Sequence, residues 1–262
     1  MLRLWLSMPT APAANFTVLM PAALGRAKEI LGRLARYLVT IEADGPAPEG
    51  NSWQVYWGAT YGPELKRWLL APVFEKLEKE GKIGDLVVDA GSGAAPVTDL
   101  LPAKGGRKRV LVDIAGENRR AGDEQRIRLD AEKVGDAGTL SYRKAVLRVC
   151  KFLEMEPGAA KRDRVDTIVF SDLLNYVDFR NVLRGFAGFL KAGGRFVIVN
   201  LPIRGNRELF SDKGLKDNRE LYRWLGENGF EIEYKGFPKR SRDDTGEAEE
   251  LIVLVARKCG GD

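Results

Sequence analysis

The chain has 262 residues, of which 44% are hydrophobic and 30% are charged, values that are ordinary for a globular protein with one main core. It contains no histidine, and its two cysteines, Cys150 and Cys259, lie far apart, so neither a disulfide framework nor the spacing of a zinc site is present. The net charge of +5 comes from basic residues interleaved with acids, which favours a solvated basic surface over a nucleic-acid interface.

The N-terminal segment has some features of a targeting peptide, because no acid precedes Glu29 and small residues follow the apolar start. Its apolar stretch LWLSM is short, however, and Pro9 interrupts it. No segment of the chain reaches the roughly 18 apolar residues of a membrane helix. We therefore expect a cytoplasmic protein without a membrane partner.

Two helical patterns precede the main alternating region. The segment GRAKEILGRLARYLVTIE has apolar residues at helical spacing, which predicts an amphipathic helix, and ADGPAPEGNS after it is typical of a linker. A second helix is predicted from Pro63 to Gly81, with a bend or a break at Pro72. We therefore divide the chain into an N-terminal helical extension or lid, residues 1–62, and a main domain, residues 63–262.

From residue 84 onward, short segments rich in β-branched residues alternate with helical ones, among them FRNVLRGFAGFLKAGG with Gly193 and Gly194 as its expected stop. This alternation is typical of a doubly wound α/β fold with parallel strands. The last two strands have no room for a helix between them and should be antiparallel neighbours. The predicted fold is a doubly wound, mostly parallel seven-stranded sheet with an antiparallel last strand. Its first five strands are DLVVDA (85–90), KRVLVDI (108–114), QRIRLD (125–130), VDTIVFS (165–171) and GRFVIVNL (194–201).

The glycine loop after the first strand carries the most specific signal. In VVDAGSGAAP, Gly91 and Gly93 allow a sharp turn close to a ligand, but Pro96 occupies the position where a dinucleotide fingerprint needs glycine or alanine. The carboxylate of Asp89 would repel a pyrophosphate by about 1 kcal/mol or more at partly buried separations. A cationic ligand fits this loop better than a phosphate does.

Further acidic segments follow the next strands: Asp113 ends the second strand, and LDA (129–131) ends the third. FLKAGGRFVIVN leads into the fifth strand, and the closing antiparallel pair completes the pattern. On these motifs, residues 84–257 resemble a class I S-adenosylmethionine-dependent methyltransferase, a Rossmann-like family. The resemblance implies a transferase with S-adenosyl-L-methionine as its cofactor.

The resemblance also implies roles for individual residues. Asp89 and the glycine-loop backbone would hold the methionine moiety, and Asp113 would accept hydrogen bonds from the ribose hydroxyls. Asp130 would bind the adenine amino group, and the amide of Ala131 would meet a ring nitrogen. Residues 171–173 would form the floor of the methyl-transfer site. The implied cofactor-binding residues are Asp89, Gly91, Ser92, Gly93, Asp113, Ile114, Asp130, Ala131, Ser171, Asp172 and Leu173.

The sequence departs from the family pattern at two places, and each departure predicts a local difference in structure. Pro96 stands where a third small residue is usual, and we expect it to open a short helix. The segment IAGENRRAGDEQ after Asp113 is short for a full crossover helix.

The acceptor site is predicted from aromatic and polar residues outside these motifs. The segment NSWQVYWGATYG concentrates aromatic rings, and we expect Trp57 and Tyr61 to line the site with Tyr176; the alternative is that the rings pack the extension onto the sheet. Candidate catalytic residues are Asp172, Tyr176 and Tyr61, unless the nucleophile is already deprotonated. Asp172 and Asn175 alone are too few for Mg²⁺, so no metal is predicted.

The tetrapeptide NLPI at 200–203 resembles the motif of amino-methylating DNA enzymes. It follows the fifth strand, whereas that motif follows the fourth, and we therefore discount the resemblance.

The predicted function is methyl transfer to a small-molecule acceptor with an oxygen or nitrogen nucleophile. The alternatives are an RNA or protein methyltransferase, using basic stretches such as RNVLRG and PKRSR, and a protein that binds S-adenosylmethionine without catalysis. Asp89 and Pro96 disfavour a nicotinamide oxidoreductase. A nucleic-acid partner is therefore less favoured than a small molecule, and the sequence does not indicate an oligomeric state.

Overall fold

The computed structural model describes residues 63–93, 95–114, 118–155, 164–200, 211–242 and 248–260. The predicted N-terminal helix, the linker, Trp57 and Tyr61 lie outside these ranges. Within them, no helix combines the length and the apolar character needed to cross a membrane.

The described residues form helices and strands in the predicted alternation. The helices are α1 (Pro63–Lys79), α2 (Leu140–Phe152), α3 (Phe179–Ala187) and α4 (Asn218–Glu227), with short 3₁₀ helices at Val97–Leu100 and Ala131–Lys133. The strands are β1 (Leu86–Ala90), β2 (Lys108–Asp113), β3 (Arg119–Ala121), β4 (Glu124–Arg128), β5 (Val165–Ser171), β6 (Leu190–Asn200), β7 (Phe230–Arg242) and β8 (Ala248–Lys258).

All strands join one sheet in the order β3-β4-β2-β1-β5-β6-β8-β7. The five strands β4-β2-β1-β5-β6 are parallel to one another, whereas β3 is antiparallel to β4, and β8 is antiparallel to both β6 and β7. The doubly wound fold and its antiparallel closing pair are therefore confirmed. Because the parallel strands point the same way, their carboxyl ends lie along one edge of the sheet.

The sheet has one strand more than the seven predicted. Residues 119–121 form β3, which pairs antiparallel with β4 through a tight turn at Gly122, where φ is +55°. Positive φ is accessible to glycine without a steric penalty, so the sequence AGDE can reverse the chain here. The described residues between β2 and β4 contain no helix, as the length of this segment predicted.

One boundary prediction was wrong. Helix α3 ends at Ala187 and β6 begins at Leu190, so Gly193 and Gly194 lie inside the strand and do not stop the helix. The register between β5 and β6 shifts after Val165, and Gly193 takes φ of +73° within the resulting bulge. At Pro72, where a bend or a break was predicted, helix α1 continues without a break.

The two faces of the sheet bury separate apolar layers, because side chains alternate along each strand. Val87 packs in the layer of α1 with Phe74, whereas Val88 packs in the opposite layer, which contains side chains of α2, α3 and α4. Full burial of one such side chain contributes about 1.5–3 kcal/mol. By the same alternation Asp89 lies on the α1 side, next to the 3₁₀ helix that includes Val97.

Candidate functional site

The glycine loop crosses the carboxyl end of β2. The backbone N–H groups of Gly91 and Ser92 both donate to the carbonyl of Val112, at 2.8 and 3.2 Å. The N–H of Gly93 donates to the Asp113 carboxylate at 2.9 Å. These bonds bring the loop and the second-strand acid together, as the sequence predicted for neighbouring strand ends.

The two loop glycines have positive φ, +71° at Gly91 and +59° at Gly93, but their surroundings differ. A Cβ on Gly91 would lie 3.0–3.2 Å from side-chain atoms of Leu173, in the turn after β5. A Cβ on Gly93 would have no atom of the described residues within 4 Å. One side of the loop is thus packed against the β5 turn, and no residue in the described part of the chain packs against its other side at Gly93.

Asp89 is completely buried and is bonded to the short helix that follows the loop. Its Oδ2 accepts hydrogen bonds from the Thr98 hydroxyl at 2.8 Å and from the Thr98 backbone N–H at 3.2 Å. Pro96 directly precedes this helix, which confirms its expected position. Thr98 was not among the predicted site residues; the signal in the sequence was a hydroxyl residue in the first turn after Pro96, where helix N–H groups are free to bind an anion.

An exposed apolar side chain lies next to Asp113, the carboxylate at the end of β2. Ile114 directly follows Asp113 and is 48% exposed, which is unusual for isoleucine. The Arg128 guanidinium donates to the Ile114 carbonyl at 3.3 Å and holds the chain at this point. A partly buried carboxylate and an accessible apolar surface thus lie side by side.

Asp130 caps the 3₁₀ helix at the end of β4. Its Oδ1 accepts a hydrogen bond from the Glu132 N–H at 2.9 Å, and Ala131 is buried. Glu132 in turn attaches this helix to α3, because its carboxylate accepts from the Asp178 N–H at 2.6 Å and its carbonyl accepts from the Asn181 side chain at 3.1 Å. Asp130 therefore lies at the predicted edge, and part of its hydrogen bonding is structural.

The turn after β5 contains an unusual backbone conformation. Asp172 has φ of +52°, a region that non-glycine residues seldom occupy, and its N–H donates to the Val199 carbonyl of β6 at 2.9 Å. Such conformations cluster at functional sites. Ser171 is buried, whereas Asp172, Leu173 and Tyr176 are partly exposed, so this turn is accessible at the same edge.

A second turn, at residues 211–215, supports the β5 turn from the far side. The N–H of Ser211 donates to the Asn175 carbonyl at 3.1 Å, and the N–H of Leu215 donates to the Leu174 carbonyl at 2.8 Å. A Cβ on Gly214 would lie only 2.1 Å from the Asn175 carbonyl oxygen, so this approach depends on glycine. Sequence reasoning gave these residues no role.

The edge shows no metal centre in the part of the chain that the structure describes, because no three His, Cys, Asp or Glu side chains are grouped there. The chemistry that the described edge offers is that of carboxylates, backbone N–H groups, one accessible tyrosine and an exposed isoleucine. This set suits a ligand with hydroxyl groups, positive charge and an apolar face.

Comparison with known proteins gives similarity of structure only. No protein-family model and no curated protein matches the sequence. The trans-methyltransferase CalH, solved in complex with S-adenosylhomocysteine, has a TM-score of 0.52 and 14% identity, covering 90% of this chain and 73% of CalH. The CurJ carbon methyltransferase has a TM-score of 0.51 and 12% identity, and the match covers 92% of this chain and 72% of the CurJ chain.

Geranyl diphosphate methyltransferase, solved in complex with S-adenosylmethionine, has a TM-score of 0.51 and 16% identity. The match covers 84% of this chain and 94% of the geranyl diphosphate methyltransferase chain. At such identities the likeness concerns the fold alone. The chain therefore has the class I Rossmann-like fold of S-adenosylmethionine-dependent methyltransferases, as its sequence motifs predicted.

Proposed function

We propose that this protein catalyses methyl transfer from S-adenosylmethionine to a small-molecule acceptor with an oxygen or nitrogen nucleophile. The observation that carries the proposal is the glycine loop in a methyltransferase fold: the loop is bonded to Asp113, and none of the residues that the structure describes would contact a Cβ at Gly93. A side chain at Gly93 would fill the space that a ligand needs, so the loop geometry fits a bound nucleoside.

The residues present fit the parts of S-adenosylmethionine. Asp113 would accept hydrogen bonds from the ribose hydroxyls, and the exposed Ile114 side chain would pack against the adenine ring. Asp130 and the Ala131 amide would bind the polar edge of the adenine. Asp89 would place negative charge beneath the loop that holds the methionine moiety, where the cofactor carries an ammonium group.

When bound, the cofactor would supply a methyl group on a positively charged sulfur. The protein's own task is then to hold the two reactants in line, and orientation of this kind is worth about 7–11 kcal/mol in well-aligned reactions. Carboxylates that gripped the sulfonium would stabilise the ground state more than the transition state. Acids placed under the loop and at the ends of β2 and β4 avoid that cost.

The turn after β5 would hold the acceptor. Asp172 and Tyr176 are the candidates for taking a proton from it, since the chain has no histidine. Trp57 and Tyr61 of the N-terminal extension remain proposed lining residues, with residues 1–62 as a lid over the main domain. An acceptor that is already deprotonated would need none of these groups.

A small-molecule acceptor is favoured over RNA by what the basic segment RNVLRG does in the structure. Arg180, the first residue of RNVLRG in α3, forms an ion pair with Glu220 of α4 at 3.0 Å. Part of the positive charge of the segment RNVLRG is therefore neutralised within the protein. The name of geranyl diphosphate methyltransferase shows that one protein of this fold acts on a small molecule.

The proposal predicts binding of S-adenosylhomocysteine but not of NAD. At a ligand concentration 100 times the Kd, binding stabilises a protein by about 2.7 kcal/mol, which corresponds to a Tm increase of roughly 5–10 °C for a domain of this size. Thermal unfolding with each ligand measures this shift. A shift with NAD and none with S-adenosylhomocysteine would contradict the cofactor assignment.

Radiolabelled methyl transfer then separates the alternatives. Label from S-adenosylmethionine should enter small molecules of a cell extract, and not purified RNA or protein. Cofactor binding without transfer to any fraction would indicate a non-catalytic binding protein.

A second prediction concerns Thr98, which we propose as a positioning residue for Asp89. Thr98→Val removes the hydroxyl that donates to Asp89 at 2.8 Å while it keeps the side-chain shape. Because hydrogen bonds to charged groups contribute about 1.5–3 kcal/mol, we expect cofactor binding to weaken roughly 10-fold or more. Calorimetry with S-adenosylhomocysteine measures the change. Thr98→Ser, which restores the hydroxyl, should recover most of the affinity; equal weakening in both variants would contradict this role.

A further inference from the structure

A buried asparagine ends the strand next to the β5 turn. Asn200, the last residue of β6, is 2% exposed, and its side-chain oxygen Oδ1 accepts no hydrogen bond from any residue that the structure describes. A buried polar atom without a partner costs about 1–3 kcal/mol, and most such atoms in folded proteins are paired. The position therefore needs an explanation.

Packing alone does not explain an amide at this position. Asn200 continues the face of β6 on which Phe196 and Ile198 are fully buried, and the residue paired with it on β8 is the fully buried Ile252. An aliphatic side chain would satisfy the same surroundings without the cost of a buried polar oxygen. The amide is the feature that the fold does not require.

The register of the sheet places this amide at the edge that carries the proposed site. Ser171 of β5 pairs with Val199 of β6, and the Asp172 N–H donates to the Val199 carbonyl. Asn200 is therefore the β6 residue beside Asp172. NLPI begins at the end of β6, the fifth predicted strand, whereas the motif of amino-methylating enzymes follows the fourth, which is β5 here. Because β5 and β6 are adjacent, their carboxyl ends lie side by side.

We propose that Asn200 binds the methyl acceptor, with Oδ1 accepting a hydrogen bond from an N–H or O–H group of that molecule. This inference rests on the proposed function and narrows its substrate class to acceptors that carry a donor hydrogen, such as phenols, anilines and amides. A carboxamide does not take up a proton at neutral pH, so Asn200 orients the acceptor, and the removal of a proton stays with another group.

The test compares the binding of donor and non-donor probes to the full chain saturated with S-adenosylhomocysteine. Phenol, aniline and benzamide carry a donor hydrogen, whereas anisole, N,N-dimethylaniline and N,N-dimethylbenzamide are the matched probes without one. Ligand-detected NMR titration gives each Kd. We expect the wild type to bind each donor probe at least 5-fold more tightly than its partner, and we expect Asn200→Leu to lose this preference.

Two controls distinguish an acceptor-binding role from a structural one. Asn200→Ala removes the amide without adding bulk and should lose the preference as Asn200→Leu does, while both variants keep the wild-type Kd for S-adenosylhomocysteine within 2-fold. Asn200→Leu should also unfold at the wild-type Tm or above it. Retention of the donor preference in either variant, its absence in the wild type, or a lower Tm for Asn200→Leu would overturn the proposal. Loss of S-adenosylhomocysteine binding by the wild type would instead refute the proposed function.

Discussion

Replacement of Asp113 by asparagine is expected to weaken the binding of S-adenosylhomocysteine by about 10- to 100-fold. The asparagine oxygen can still accept the hydrogen bond from Gly93 N–H, which is 2.9 Å from the carboxylate, so the loop should keep its position. What is lost is the charge and the second acceptor oxygen for the ribose hydroxyls. Hydrogen bonds to charged groups contribute about 1.5–3 kcal/mol, and 1.36 kcal/mol corresponds to a factor of ten. Isothermal calorimetry measures the change in Kd.

The matched control for this variant is Asp123→Asn. Asp123 is exposed in the turn between β3 and β4, before the start of β4, and its substitution makes the same change in net charge away from the carboxyl ends of the strands. Its Kd should stay within about 2-fold of wild type. If both variants weakened binding equally, a long-range charge effect would explain the result and Asp113 would have no direct contact with the ligand.

Substitution of Gly185 by alanine is expected to lower the free energy of unfolding by about 1–3 kcal/mol, the usual range for overpacking a core. A Cβ on Gly185 would lie 2.3 Å from the Val134 carbonyl oxygen, which is a backbone atom with no freedom to rotate away. For a domain of this size, each kcal/mol lowers the Tm by about 2–4 °C. Chemical and thermal denaturation measure the loss.

The matched control is Gly226→Ala, in α4, where a new Cβ would meet no atom within 4 Å among the residues that the structure describes. Alanine is more favourable than glycine in a helix by roughly 0.5–1 kcal/mol, so this variant should be as stable as wild type or more stable. Equal destabilisation by both substitutions would show that the close approach of α3 to Val134 is unimportant.

Gly185→Ala has a consequence for the site as well. Val134 follows the 3₁₀ helix that Asp130 caps, and Glu132 of that helix is bonded to α3. Displacement of α3 by an added methyl group should therefore move Asp130. We expect the variant to bind S-adenosylhomocysteine more weakly at a temperature where it is still folded.

Much of the fold was readable because its signals are local. The apolar runs around Val88, Val110 and Ile168 each predicted a buried strand, and their spacing left room for the helices between them. The boundary at Gly193 was wrong for a physical reason: glycine ends helices and also forms strand bulges, and only the pairing of β6 with β5 decided between the two.

In the candidate site, too, some residues could be predicted from local sequence and others could not. Asp89 and Asp113 were predicted because each directly ends a strand, and parallel strand ends must meet at one edge. Thr98 was missed because its bond to Asp89 depends on how the chain turns after Pro96. The placement of Asn200 beside Asp172 depends on which strands are neighbours and in what register.

The sequence by itself determined the alternation of strands and helices, the acidic glycine loop and the carboxylates at successive strand ends, because periodicity and turn chemistry act over a few residues. Only the tertiary structure decided which groups meet: Thr98 with buried Asp89, α3 with the Asp130 turn at Gly185, and Asn200 with the β5 turn. These contacts join residues from different elements, and their geometry arises from sheet register and close packing, which no local pattern specifies.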